Sequence, residues 1–117
     1  MIKLPTELVI GYTKFKIEDI RDTTNPRDDC AYGTTDKDAQ VIQLYQNNTA
    51  EAEKPLADLN TVIHECFHAA HDIYGTGLSS DHEEKMVNLH ANIMTEILVR
   101  NPDIVRFIQE SLKKNKK

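Results

Sequence analysis

The chain of 117 residues is 39% hydrophobic and 28% charged, which fits one soluble globular domain and leaves no room for a second independent core. Its formal net charge is −5, and because four of its 14 Lys and Arg sit in the last five residues, the remainder carries 10 basic against 19 acidic side chains; with no Trp and 6% aromatic residues, such a surface repels phosphate backbones and offers no stacking platform, so no nucleic-acid partner is expected. No apolar run approaches the roughly 20 residues that cross a bilayer, the first residues do not read as a secretion signal, and Cys30 and Cys66 are too few for a disulfide framework, so a reduced, cytoplasmic protein with no membrane partner is expected.

Leu8–Ile10, then Gly11-Tyr12, then Thr13–Ile17 with Phe15 and Ile17 alternating against lysines predicts a β-hairpin. Residues 21–30 carry turn chemistry without periodicity and read as a loop. Residues 31–35, a polar turn at Asp36-Lys37-Asp38, and residues 40–45 predict a second hairpin, in which Val41, Gln43 and Tyr45 alternate with Ile42 and Leu44. Strand–helix–strand alternation is missing, which argues against a doubly wound sheet. A long helix is predicted from between Glu51 and Pro55 to about Tyr74, closed by Gly75, with Gly77 keeping the connection loose. The next opens at Ser79-Ser80-Asp81 and ends at Asn101-Pro102, where a third begins through Ile104, Val105, Phe107, Ile108 and Leu112. The lysine tail favours that helix's C-terminus. The expected fold is α+β in a single domain: a small antiparallel or mixed sheet of about three strands, or two hairpins, packed on the helical residues 51–112.

Residues 64–68 read His-Glu-Cys-Phe-His, an H-E-x-x-H placed on the first predicted helix. Positions i and i+4 share one helix face, so His64 and His68 can converge on one metal ion, while Glu65, offset by one residue, can reach a water on that ion without ligating it. On a helical wheel with Leu59 at zero, Val62, Ile63, Cys66, Phe67, Ala69, Ala70, Ile73 and Tyr74 fall between roughly −80° and +80°, the expected core face. His64, His68 and His71 lie at roughly 120° to 180°, a polar stripe beside it.

Three protein ligands and an open position define a hydrolytic zinc site. For the third ligand the second helix offers Glu84, with Asn88 one turn on to brace a ligating histidine and Ala91 small enough for close helix approach. Glu83 is the rival, although Ser80-x-x-Glu83 also reads as a capping box. His71 lies roughly 10 Å along the axis from His64, too far to share its ion, and is expected at the rim. His71, His82 and Tyr74 are candidate donors to a developing oxyanion. His82 and His90 otherwise read as cap-region and packing residues, Cys66 as a small buried hydrophobe, and Cys30 as a remote candidate for a thiolate ligand.

With these residues in view, the chain resembles a small zincin of the gluzincin type: the compact metallopeptidases encoded by bacteriophages and prophages and, more distantly, the catalytic core of the ImmA/IrrE metallopeptidases. The likeness rests on Tyr32-Gly33, on Val41-Ile-Gln-Leu, on Thr61-Val-Ile-His-Glu-Cys-Phe-His-Ala-Ala, on His82-Glu-Glu-Lys-Met-Val-Asn and on Asn101-Pro-Asp-Ile-Val, and covers most of residues 31–108. It implies one zinc ion held by His64, His68 and a downstream glutamate, which fits Glu84, with Glu65 as the catalytic base. It also implies that the strand bearing Val41, Gln43 and Tyr45 lines the cleft and pairs with an extended peptide or protein substrate. The expected activity is metal-assisted peptide hydrolysis. The competing readings are a metal-stabilised regulatory or interaction protein without turnover, and a metal-free acidic binding protein.

Overall fold

The computed structural model describes residues 2–22, 32–46 and 50–115. Strands β1 (Glu7–Ile10) and β2 (Thr13–Ile20) form the first hairpin, turning at Gly11 with φ 59°, a left-handed conformation that favours glycine. β3 (Gly33–Asp36) and β4 (Val41–Tyr45) form the second. Its turn lies one residue later than the sequence predicts: Asp36 belongs to β3, its carboxylate accepts from the N–H groups of Asp38 and Ala39, and Gln40 takes φ 57°. The expected loop at 21–30 falls mostly outside the described residues, as do Ala31, Cys30, Lys116 and Lys117.

The two hairpins join through a parallel pairing of β2 with β4, giving a four-stranded mixed sheet in the order β1-β2-β4-β3. β2 therefore runs on to Ile20, where it meets Tyr45, beyond the alternation that marks it in the sequence. In this order β4 is an inner strand, paired on both sides, and β3 is an edge.

Helix α1 (Lys54–Tyr74) lies across one face of the sheet, with Pro55 in its first turn and Gly75 at its end in the left-handed region. Phe15, Ile17, Ile42, Leu44 and Ala69 form the core, with Leu8, Val62 and Ile73 packed against it. The sheet-facing side of α1 carries Asp58, Val62, Glu65, Ala69 and Ile73 at helical spacing. This displaces the core face expected from the wheel. Helix α2 (Ser80–Arg100) covers a different side of α1, so the middle of the apolar arc belongs to neither neighbour. Ile63, Cys66 and Ala70 there are only half-buried, Phe67 at the edge of the arc packs beside His90 of α2, and Tyr74 is 75% exposed.

α2 begins at Ser79, whose hydroxyl accepts from the His82 N–H, so the cap is one residue earlier than a Ser80–Glu83 capping box requires. Val87 and Ala91 are fully buried. Helix α3 (Pro102–Asn115) follows at once after Asn101 and contains no buried residue.

One polar contact welds the sheet to the start of α1. Arg21, just past β2, is buried and donates to the Asp58 carboxylate on α1 at 2.7 Å, to both oxygens of Asp19 at 2.8 Å, and to the Ile2 carbonyl at 2.9 Å. Its bonds to Asp19 raise the guanidinium pKa and hold the Asp19 carboxyl below the usual carboxylate range. Removing one partner of a buried pair is costly, so Arg21→Ala should lower stability by about 3 kcal/mol in urea unfolding. Because the Asp19 pKa is depressed, its contribution is present above the unfolded value near 3.9 and is lost as pH falls through the folded one. The gap between the parent chain and Arg21→Ala should therefore narrow below about pH 4.

Candidate metal centre

One turn of α1 separates His64 from His68 and aims both rings at α2. Their centroids stand 4.9 Å apart and their Nε2 atoms 3.2 Å apart. Glu84 reaches across from α2, placing Oε1 3.0 Å from His64 Nε2 and Oε2 2.9 Å from His68 Nε2. These three side chains form a group that can hold a metal ion. Tetrahedral zinc with bonds of about 2.0–2.1 Å sets its ligand atoms roughly 3.3–3.4 Å apart, so the observed donor spacing is close to what such an ion needs.

His68 Nδ1 lies 2.6 Å from the Glu83 carboxylate, and a proton donated there would leave the Nε2 lone pair for an ion held by the group. Burial acts to raise the Glu83 carboxyl, but the His68 hydrogen bond and the charge of Lys37, 3.6 Å away, outweigh it and leave the pKa lowered. Glu83 and Glu84 therefore serve opposite nitrogens of one ring: Glu84 is the candidate ligand, and Glu83 holds the ring's orientation. The bracing expected of Asn88 is supplied by Glu83; Asn88 lines the adjoining cavity.

Glu65 points a different way. It is 5% exposed, with Oε1 accepting a 2.8 Å hydrogen bond from the Thr35 hydroxyl on β3 and Oε2 3.9 Å from His64 Nε2. Burial pushes its pKa up, the Thr35 bond and the two histidines pull it down, and Glu84 adds to the rise, leaving it raised overall. β3 reaches α1 this closely because residue 33 is glycine. A Cβ there would stand 2.8 Å from Thr61 Cγ2 and 3.1 Å from Glu65 Cγ. For Thr61 to yield by rotating, its hydroxyl would have to give up the 3.0 Å bond it donates to the Ala57 carbonyl.

A cavity of about 500 Å³ opens over these groups, walled by β3 with Tyr32 and Lys37, by α1 from Asn60 to His68, and by Glu84 and Asn88 of α2. His71, Tyr74 and His82 do not line it. His71 bonds Thr76, His82 bonds the Ser79 cap, and Tyr74 is out in solvent. His90 packs beside Phe67, as expected. Val41, Gln43 and Tyr45 are also misplaced by the sequence reading. Thr35 and its register partner Ile42 face α1, so the alternate residues of β4 face away, where Gln43 bonds Glu18 and Tyr45. The reading missed Gly33, Thr35 and Lys37. A glycine inside a strand is itself a sign of close backbone approach.

Comparison of this chain with protein-family models, with curated proteins and with solved structures finds no match.

Equilibrium dialysis against a divalent first-row metal should load one ion per chain, and His64→Ala, His68→Ala and Glu84→Ala should each lose it. Glu83→Gln should keep the ion but bind it about 10–100-fold more weakly. Gly33→Ala should cost about 1–3 kcal/mol in thermal unfolding through the clash with Thr61.

Proposed function

We propose that this chain is a zinc-dependent metallopeptidase of zincin-like architecture, acting on an extended peptide or protein segment. The observation that carries the reading is the division of labour around the cavity. Two imidazole nitrogens and one carboxylate converge on a point, while a second, buried carboxylate borders the same space without joining them. A structural metal site would be closed by a fourth protein ligand, and among the described residues the ion-holding group has three members.

A zinc ion held by His64, His68 and Glu84 would supply Lewis acidity to a substrate carbonyl and make water a competent nucleophile near neutral pH. The chain's own groups do the rest. Thr35 occupies Glu65 Oε1, leaving Oε2, on the His64 side, to accept a proton from the attacking water. The same carboxyl then returns the proton to the departing amine. Glu83 keeps the His68 ring in register throughout. The edge position of β3 leaves one row of its backbone groups outside the sheet, above the cavity. An extended peptide laid along it would add a strand there, a role that inner strand β4 cannot take.

Zinc-loaded protein incubated with a mixed peptide library and read by mass spectrometry should release defined fragments. Glu65→Gln should retain the metal and lose about 10²–10⁴-fold in rate. Cleavage unchanged by Glu65→Gln would remove the mechanism. Stoichiometric metal with no cleavage by the parent chain would favour the regulatory or interaction protein without turnover.

A further inference from the structure

The two C-terminal helices carry apolar stripes that nothing in the described chain covers. On α2, Met86, Leu89, Ile93 and Ile97 recur every three or four residues and are 39%, 55%, 46% and 42% exposed. Their mean direction lies about 135° around the helix from that of Val87 and Ala91, which are buried. On α3, Ile104, Phe107, Ile108 and Leu112 make a second stripe, 44%, 71%, 41% and 65% exposed. Neither stripe contains a charged residue.

Together the two stripes amount to roughly 800 Å² of apolar surface, about one partner's share of a stable interface.

We infer that the occupant is a second copy of this chain, with α3 of each protomer lying along the α2 stripe of the other about a twofold axis. The stripes suit each other in length, about 16 Å on α2 and 12 Å on α3 at the rise of a helix. Both belong to one chain, so a single symmetric exchange covers all four at once, whereas an unrelated partner would have to match two separate faces. The exchange leaves the metal centre open. Glu84 lies on the α1 side of α2, away from the stripe, and the Glu83 carboxylate is turned to His68, so assembly and metal loading are separable.

Sedimentation equilibrium or light scattering on the full chain at micromolar concentration should give twice the 13.4 kDa chain mass. Ile93→Glu on α2 and Ile108→Glu on α3 should each weaken association at least about 30-fold, the loss of one buried anchor, and give the mass of one chain. Far-UV circular dichroism and metal content should stay unchanged. α3 contains no buried residue, so Ile108→Glu leaves the core intact, and Phe107→Glu, at a 71% exposed position, supplies a second variant on the same helix. A parent chain that is monomeric at 100-fold higher concentration overturns the inference, as does one that stays monomeric and floats with anionic vesicles. A dimer untouched by both Ile93→Glu and Ile108→Glu overturns it equally.

Discussion

Successive residues of a helix point about 100° apart, and the candidate centre exists because α1 sends that difference to two neighbours. His64 and His68 turn toward α2, where Glu84 meets them, while Glu65 turns into the seam with β3, where the Thr35 hydroxyl holds it. Were α1 packed against a single neighbour, the histidines or the glutamate would be lost to solvent. The close seam at Gly33 and the buried pair of Val87 and Ala91 on α2 keep both neighbours in place.

Within that frame, Glu83 and Glu84 repeat the same device on α2. They are adjacent in sequence, and one meets Nδ1 and the other Nε2 of the same imidazole. The direction of the His68 ring is thereby fixed from both sides by α2. Lys37, from the turn after β3, balances the charge of Glu83 and ties the sheet to this arrangement.

The helices and their ends were legible because Gly75, Ser79 and Pro102 are local signals whose physics does not depend on the rest of the chain. Both hairpins were legible for the same reason. The sequence does not announce how they join, since a parallel pairing between β2 and β4 leaves no mark in either strand, and that pairing decides that β3, and not β4, is the edge. The His64–Glu65–His68 set was legible from spacing alone. Glu84 is preferred over Glu83 from the sequence, but that Glu83 instead holds the far nitrogen of the same ring appears only once α2 is packed against α1. Arg21 is hidden for another reason: a basic residue in an expected loop becomes a buried anchor only when Asp58, 37 positions away, folds against it.

The three members of the metal-holding group are unequally sheltered. The side chains of His64 and His68 are 17% and 15% exposed, and that of Glu84 is 52% exposed. Rotation of one flexible carboxylate arm would open the group from the solvent side while α2 keeps its packing, so a seated cation could depart or be swapped without any unfolding. Such a centre would be labile in kinetics however tight at equilibrium, and its occupancy would follow the free metal around it.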